Sequence, residues 1–248
     1  MTTPADVLHQ LLRDDAAAPR ITCYDDTPGP TQGERIELSA RVLSNWVSKA
    51  ANALQEEWDL EPGSRVLLAL PPHWRTAYWA VAAWSVGATV VLPEAQTQGE
   101  AVDPAGVDLV VTHSLALAQA CETRTATALV TLAALARSAP EPVPPGVLDE
   151  ARELATYADQ FTAWDEADED DPALVEGAAT TSYGELVAAC AAGLPTGVRL
   201  HTSTGSTSAM LRDLLGSWAV GGSLVLSRGG QDDRLADRLA SEGVTLAR

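Results

Sequence analysis

Two stretches of the chain carry hydroxyl and glycine residues in patterns that could hold an anion. His201, Thr202, Ser203, Thr204, Gly205 and Ser206 lead directly into a strong helical pattern that begins at Thr207. A helix N-terminus presents unpaired backbone N–H groups and a partial positive charge, so such a lead-in can bind a phosphate or a carboxylate. It can equally do no more than cap the helix, the usual work of Ser and Thr in that position. Thr180, Thr181 and Ser182 form a second hydroxyl cluster ahead of another helical pattern, and simple capping is open to them as well. The first stretch has no lysine, and Arg212 stands a turn or more beyond it. Of the sixteen basic residues only Lys49 is a lysine, so a mechanism needing a lysine later in the chain is excluded.

The other chemically capable residues form no recognisable machinery. His9, His73, His113 and His201 lack metal-ligand spacing. His73 follows Pro71-Pro72 at the end of a buried strand, where ligands of open α/β sheets bind, but it has no visible partner. The acidic run Asp165, Glu166, Asp168, Glu169, Asp170, Asp171 lacks the spaced pattern of a calcium loop and reads as solvated. Neither Gly-x-Ser-x-Gly nor Gly-x-Gly-x-x-Gly occurs. No metal site and no catalytic residue is assigned.

Strands and helices must alternate to position these groups. An apolar run at residues 66–70 between Pro-Gly and Pro-Pro predicts a strand buried on both faces. The helix predicted from Trp74 is apolar nearly all round, so Trp74, Trp79 and Trp84 belong in the core or at a contact between lobes. Gly87 follows it as a left-handed cap before a strand at 89–92. Upstream come a helix at 5–13, strands at 21–24 and 36–38, and a helix capped by Ser39. Downstream, strands are predicted at 108–112 and 128–132, with a helix at 115–121 between them and a polar loop at 94–103. Residues 140–146, rich in proline, mark a boundary. Beyond it lie a partly helical stretch at 147–164, strands near 173–175, 198–202, 223–226 and 244–246, and helices at 182–193, 207–220 and 232–241. The fold class is therefore α/β, with doubly wound, mostly parallel sheets, flanking helices and two βαβ lobes. The expected division is 1–139, a linker and acidic loop at 140–172, and a smaller lobe at 173–248.

A formal charge of −18 excludes nucleic acid and anionic membranes as partners. Hydrophobic content of 46% and charged content of 20% are those of an ordinary globular protein. Cys23, Cys121 and Cys190 make neither a zinc pattern nor a redox pair, which suits reduced thiols in the cytoplasm. The opening residues show no secretory pattern, and no apolar run is long enough to span a membrane.

Pro62, Gly63, Arg65, Val66, Pro71, Ala80, Ala83, Gly87, Ala88, Val91 and Pro93 fit the pattern P-G-x-R-V … P … A-x-x-A-x-x-x-G-A-x-x-V-x-P. It resembles the N-terminal region of adenylate-forming enzymes, which include acyl-CoA synthetases and peptide-synthetase adenylation domains. Leu38-Ser39, the Lys49 to Leu54 segment, Leu215, Gly221-Gly222-Ser223-Leu224-Val225-Leu226, and Leu239 through Val244-Thr245 continue the likeness. It covers nearly the whole chain but less than half of a typical member, so the chain resembles a truncated, degenerate N-terminal part.

The resemblance implies ATP or AMP as cofactor, and a phosphate loop T-S-G-T-T-G-x-P-K-G after the strand at 173–175. Thr180, Thr181 and Ser182 stand there as a degenerate version. The lysine, the proline and the second glycine are missing, and Glu176 now opens the segment. A carboxylate beside a polyphosphate is repulsive, so ATP binding should suffer. His201 to Ser206 match the family's strand-to-helix turn, which contributes to the acyl or amino-acid pocket. The family reaction also needs a ribose-binding aspartate and a lid lysine, neither of which this chain offers. The expectation is a non-catalytic protein binding a nucleotide-like or acyl ligand, or a homo-oligomer or protein partner. The alternative is a ligase component completed by a second chain.

Overall fold

The computed structural model describes residues 1–93, 104–121, 124–229 and 235–248. The loop expected at 94–103 and the start of the helix expected at 232 lie outside the described residues. Helix α1 (Pro4–Asp15) opens on a reciprocal cap, with Thr3 Oγ1 accepting from the Asp6 amide and the Asp6 carboxylate accepting from the Thr3 amide. Strands β1 (Pro19–Asp25) and β2 (Glu34–Ser39) pair antiparallel. Ser39 caps α2 (Ala40–Trp58) as its sequence position implies, its hydroxyl accepting from the Val42 amide.

The central crossover is as expected. Strand β3 (Arg65–Ala69), helix α3 (Trp74–Ser85) and strand β4 (Thr89–Leu92) form a parallel βαβ unit. Every residue of α3 from Trp74 to Trp84 is buried. Gly87 takes φ +79°, and a Cβ there would lie 2.7 Å from Pro62 Cγ, so the turn has no room for a side chain. Strand β5 (Leu109–Thr112), helix α4 (Leu115–Cys121) and strands β6 (Ala126–Leu129) and β7 (Val147–Asp149) extend the sheet on one side. A short helix α5 (Glu150–Glu153) follows β7. On the other side β8 (Pro172–Glu176) joins β4 in parallel, and β9 (Ala179–Ser182) closes the edge antiparallel, giving the order β7-β6-β5-β3-β4-β8-β9.

Helix α6 (Tyr183–Ala191) leads to β10 (Arg199–Thr202), α7 (Thr207–Ala219), β11 (Ser223–Arg228), α8 (Leu235–Ser241) and β12 (Leu246–Ala247). These strands form a second sheet with β1 and β2, in the order β12-β10-β11-β1-β2. Each of the two segments expected as lobes thus contributes to both sheets. Strand β1 lies beside β11 and β8 beside β4, while β2 and β9 pair antiparallel with them and form the outer edges.

One continuous core joins the sheets. Helix α3 touches β1 as well as β3 and β4, while α7 packs on β10, β11, α1, α3 and α6. Gly216 makes the α6–α7 crossing possible, since a Cβ there would sit 2.2 Å from the Cys190 carbonyl oxygen. Trp84 Nε1 donates to Ala173 O at 2.8 Å and Trp218 Nε1 to Arg20 O at 2.9 Å, so the indoles are core members that also satisfy buried carbonyls. Among the described residues no helix is long and apolar enough to cross a membrane.

Candidate functional site

The carboxyl ends of β10 and β12 open onto a cleft of about 460 Å³ lined by Thr202, Ser203, Thr204, Ala209, Arg212, Asp213 and Arg248. This size falls within the range of small-molecule sites. Three elements converge on it. The turn after β10 supplies the hydroxyls, one face of α7 supplies Arg212 and Asp213, and Arg248 arrives beyond β12, its amide donating to His201 O at 3.0 Å. Part of the turn is spent on its own geometry. Thr204 Oγ1 accepts from the Ser206 amide at 3.0 Å, and Ser206 caps α7 by accepting from the Ala209 amide at 3.3 Å. Thr207 Oγ1 reaches across to Leu70 O at 2.8 Å, tying α7 to the end of β3.

Three of the six residues expected to bind a ligand, Thr202, Ser203 and Thr204, therefore line the cleft. Gly205 and Ser206 are exposed and are not among its lining residues. His201 is buried, its Nε2 lying 3.1 Å from Ser227 Oγ. Burial, with help from the charge of Arg238, pushes that imidazole below its ordinary value, so it rests neutral.

The segment expected as a degenerate phosphate loop is not a loop. Glu176 pairs directly with Ala179, so the chain reverses through Gly177 and Ala178 alone, with Gly177 at φ +57°. Thr180, Thr181 and Ser182 oppose Val175, Leu174 and Pro172 as the edge strand β9. Their spacing gave no warning, because β9 is too polar and short to alternate visibly. Ser182 holds the N-cap position of α6 but makes no side-chain capping bond. Glu176 is not among the cleft's lining residues, but its carboxylate forms an ion pair with Arg212, which is. A second pair, Arg248 Nη1 to Asp213 Oδ1 at 2.9 Å, lies beside it. Asp213 and Arg248 carried no sequence signal except that a charged pair, Arg212-Asp213, interrupts the apolar face of α7.

His73 caps α3, with Nδ1 accepting from the Arg75 amide at 3.2 Å. Burial first, then the charges of Arg228 and Arg75, hold it well below its ordinary pKa. The densest buried polar cluster lies one turn on. Glu150 Oε1 accepts from Arg75 Nη1 at 2.7 Å and from the Tyr78 hydroxyl, while Arg75 Nη2 donates to Ala133 O at 3.0 Å. This network fastens α3 to the start of α5 and meets no cleft wall. Lys49 is also occupied, donating to Ala155 O at 3.0 Å and Tyr157 O at 2.5 Å and pairing with Asp159 at 2.7 Å. Among the described residues no group of three or more His, Cys, Asp or Glu could hold a metal ion. What the cleft can do is pair with charge and donate hydrogen bonds.

No family model matches the sequence. A "TIGR03089 family protein" of Mycobacterium tuberculosis is 35% identical over 260 residues, covering 99% of each chain. Among solved structures, an acyl-CoA synthetase of Brucella canis superposes with a TM-score of 0.74 at 17% identity, over 99% of this chain and 46% of that one. The inhibitor-bound N-terminal domain of FACL13 from Mycobacterium tuberculosis gives 0.72 at 15%, over 100% and 62%. An artificially fused NpsA–ThdA adenylation–PCP di-domain from Klebsiella oxytoca gives 0.68 at 16%, over 100% and 44%. The chain spans between 44% and 62% of these solved structures and has the fold of the N-terminal domain of adenylate-forming enzymes.

Proposed function

We propose that this chain, which belongs to the TIGR03089 family, is a non-catalytic binding protein on an acyl-CoA synthetase-like fold. Its ligand is a small acyl compound carrying a carboxylate, held in the cleft at the ends of β10 and β12. The observation that carries this reading is the two-residue turn at Gly177-Ala178, which stands where the resemblance places a phosphate loop. A polyphosphate needs several converging backbone N–H groups and a cation. The residues after the turn instead pair with β8, and Glu176 adds negative charge. The cleft, by contrast, keeps hydroxyls and two guanidinium groups around a ligand-sized space. A cytoplasmic location belongs to the same proposal, supported by three free cysteines, two buried and one half-buried.

A thermal-shift series tests it, since a ligand that binds only the folded chain raises the melting temperature. Short carboxylates and acyl-adenylate analogues should raise it, ATP alone should not, and the isolated protein should show no ATP–pyrophosphate exchange. Exchange activity would overturn the non-catalytic reading. No shift with any carboxylate or adenylate would overturn the ligand reading and favour protein contact as the role of this fold.

A further inference from the structure

The cleft presents its two arginines already neutralised. Arg248 is held by Asp213 from within the cleft wall. Arg212 is held by Glu176, which belongs to a different sheet. Glu176 is the last residue of β8, immediately before the tight turn. Arg212 projects from α7, the helix that follows β10. Their pair is about one quarter to one third exposed, with side-chain exposures of 36% for Arg212 and 23% for Glu176. A carboxylate entering the cleft therefore meets a guanidinium that is reachable from solvent but engaged.

We infer that Glu176 is a built-in competitor for the cleft, and that an anionic ligand binds by taking Arg212 from it. This rests on the ligand reading above and adds how access is controlled. A guanidinium offers its best fork geometry to one carboxylate at a time, so the internal and the incoming carboxylate compete for the same donors. Competition sets a floor under the ligand's charge: an uncharged isostere cannot displace Glu176 and gains nothing from Arg212. It also predicts that removing the charge of Glu176 improves binding, the reverse of what a supporting wall residue would do. The gain should be about two- to fivefold, because a partly exposed pair contributes little more than ~1 kcal/mol.

The test compares the wild-type chain with Glu176→Gln, a near-isosteric change on an edge-side strand end, by isothermal titration. The probes are acetate, butyrate, octanoate and benzoate, each against its neutral amide. Tighter binding of a carboxylate to Glu176→Gln, with the amide unchanged, supports the competitor role. Equal or weaker carboxylate binding by Glu176→Gln, with measurable binding by the wild type, overturns it and leaves the cleft reading standing. No carboxylate binding by either protein overturns both. Arg212→Gln supplies the complement: it should abolish the difference between each carboxylate and its amide, and a difference that persists overturns the role given to Arg212.

Discussion

Replacing Gly216 by alanine tests the tight α6–α7 crossing and reaches the cleft through it. The added Cβ would lie 2.2 Å from Cys190 O and 2.9 Å from both Cys190 C and Leu194 Cδ1. Leu194 can rotate away, but the Cys190 carbonyl is main chain and cannot. Carbon–oxygen contacts settle at about 3.3–3.6 Å, so α6 and α7 must part by roughly 1 Å. Two effects oppose each other. Alanine in a helix interior is favoured over glycine by about 1 kcal/mol. Forcing a group into a packed core costs about 1–3 kcal/mol, and the upper end applies where backbone must move. Overlap should win, with a net loss of about 2 kcal/mol and a fall in Tm of roughly 4–8 °C for a chain of this size. Circular dichroism melts would measure it. The crossing also sets where α7 carries Arg212 relative to Glu176, so the salt sensitivity of any carboxylate binding should change as well. A variant that melts at or above the wild-type temperature would mean that the crossing has slack, and the close-contact argument would fall.

Three further outcomes are expected. Glu150→Gln leaves the Arg75 guanidinium buried without its counter-charge and should cost about 3–5 kcal/mol in urea unfolding; a loss below about 1 kcal/mol would refute the network's structural role. His73 and His201, both buried, sit below the ordinary imidazole value in the folded chain, mainly through burial, whereas the unfolded chain titrates near 6.5. Stability should thus hold above about pH 6.5 and fall below it, as the unfolded state takes up protons that the fold refuses. His73→Asn, which keeps a capping side chain, should recover about 1 kcal/mol of the loss at pH 5.5, and an unchanged pH profile would count against this assignment. Lys49→Gln removes an ammonium that holds Ala155 O, Tyr157 O and Asp159, so hydrogen exchange should rise in residues 155–164 while β3 stays protected; uniform exchange would show that the strap is not held locally.

The sequence carried most of the architecture because the long elements are strongly patterned. Ser39, the buried run from Trp74 to Trp84 and the turn at Gly87 were legible from residue type alone, since each answers a local physical demand. Strands β7 and β9 were not, being three and four residues long: β7 pairs with β6 across the long proline-rich connection, and β9 is too polar to alternate visibly. The same limit applied to the cleft. Thr202, Ser203 and Thr204 stood out as a hydroxyl cluster before a helix, but the pairs Asp213–Arg248 and Glu176–Arg212 form only after β8, α7 and β12 have been placed. Thr180 to Ser182 read as a loop but form edge strand β9, because a hydroxyl cluster looks alike in a loop and in an edge strand.

Strand β1 has a consequence for how the chain can assemble. Its register partner is β11, with Ile21 opposite Leu224 and Asp25 opposite Arg228, and Arg20 reaches Gly221 O across 201 positions of sequence. During synthesis the opening hairpin must wait for that partner with one edge unpaired. Such long-range pairing slows folding and leaves strand edges open to the wrong neighbour. A fragment cut at the proline-rich segment would carry the same exposed edge permanently. The half that looks self-sufficient on paper should therefore be the half that aggregates.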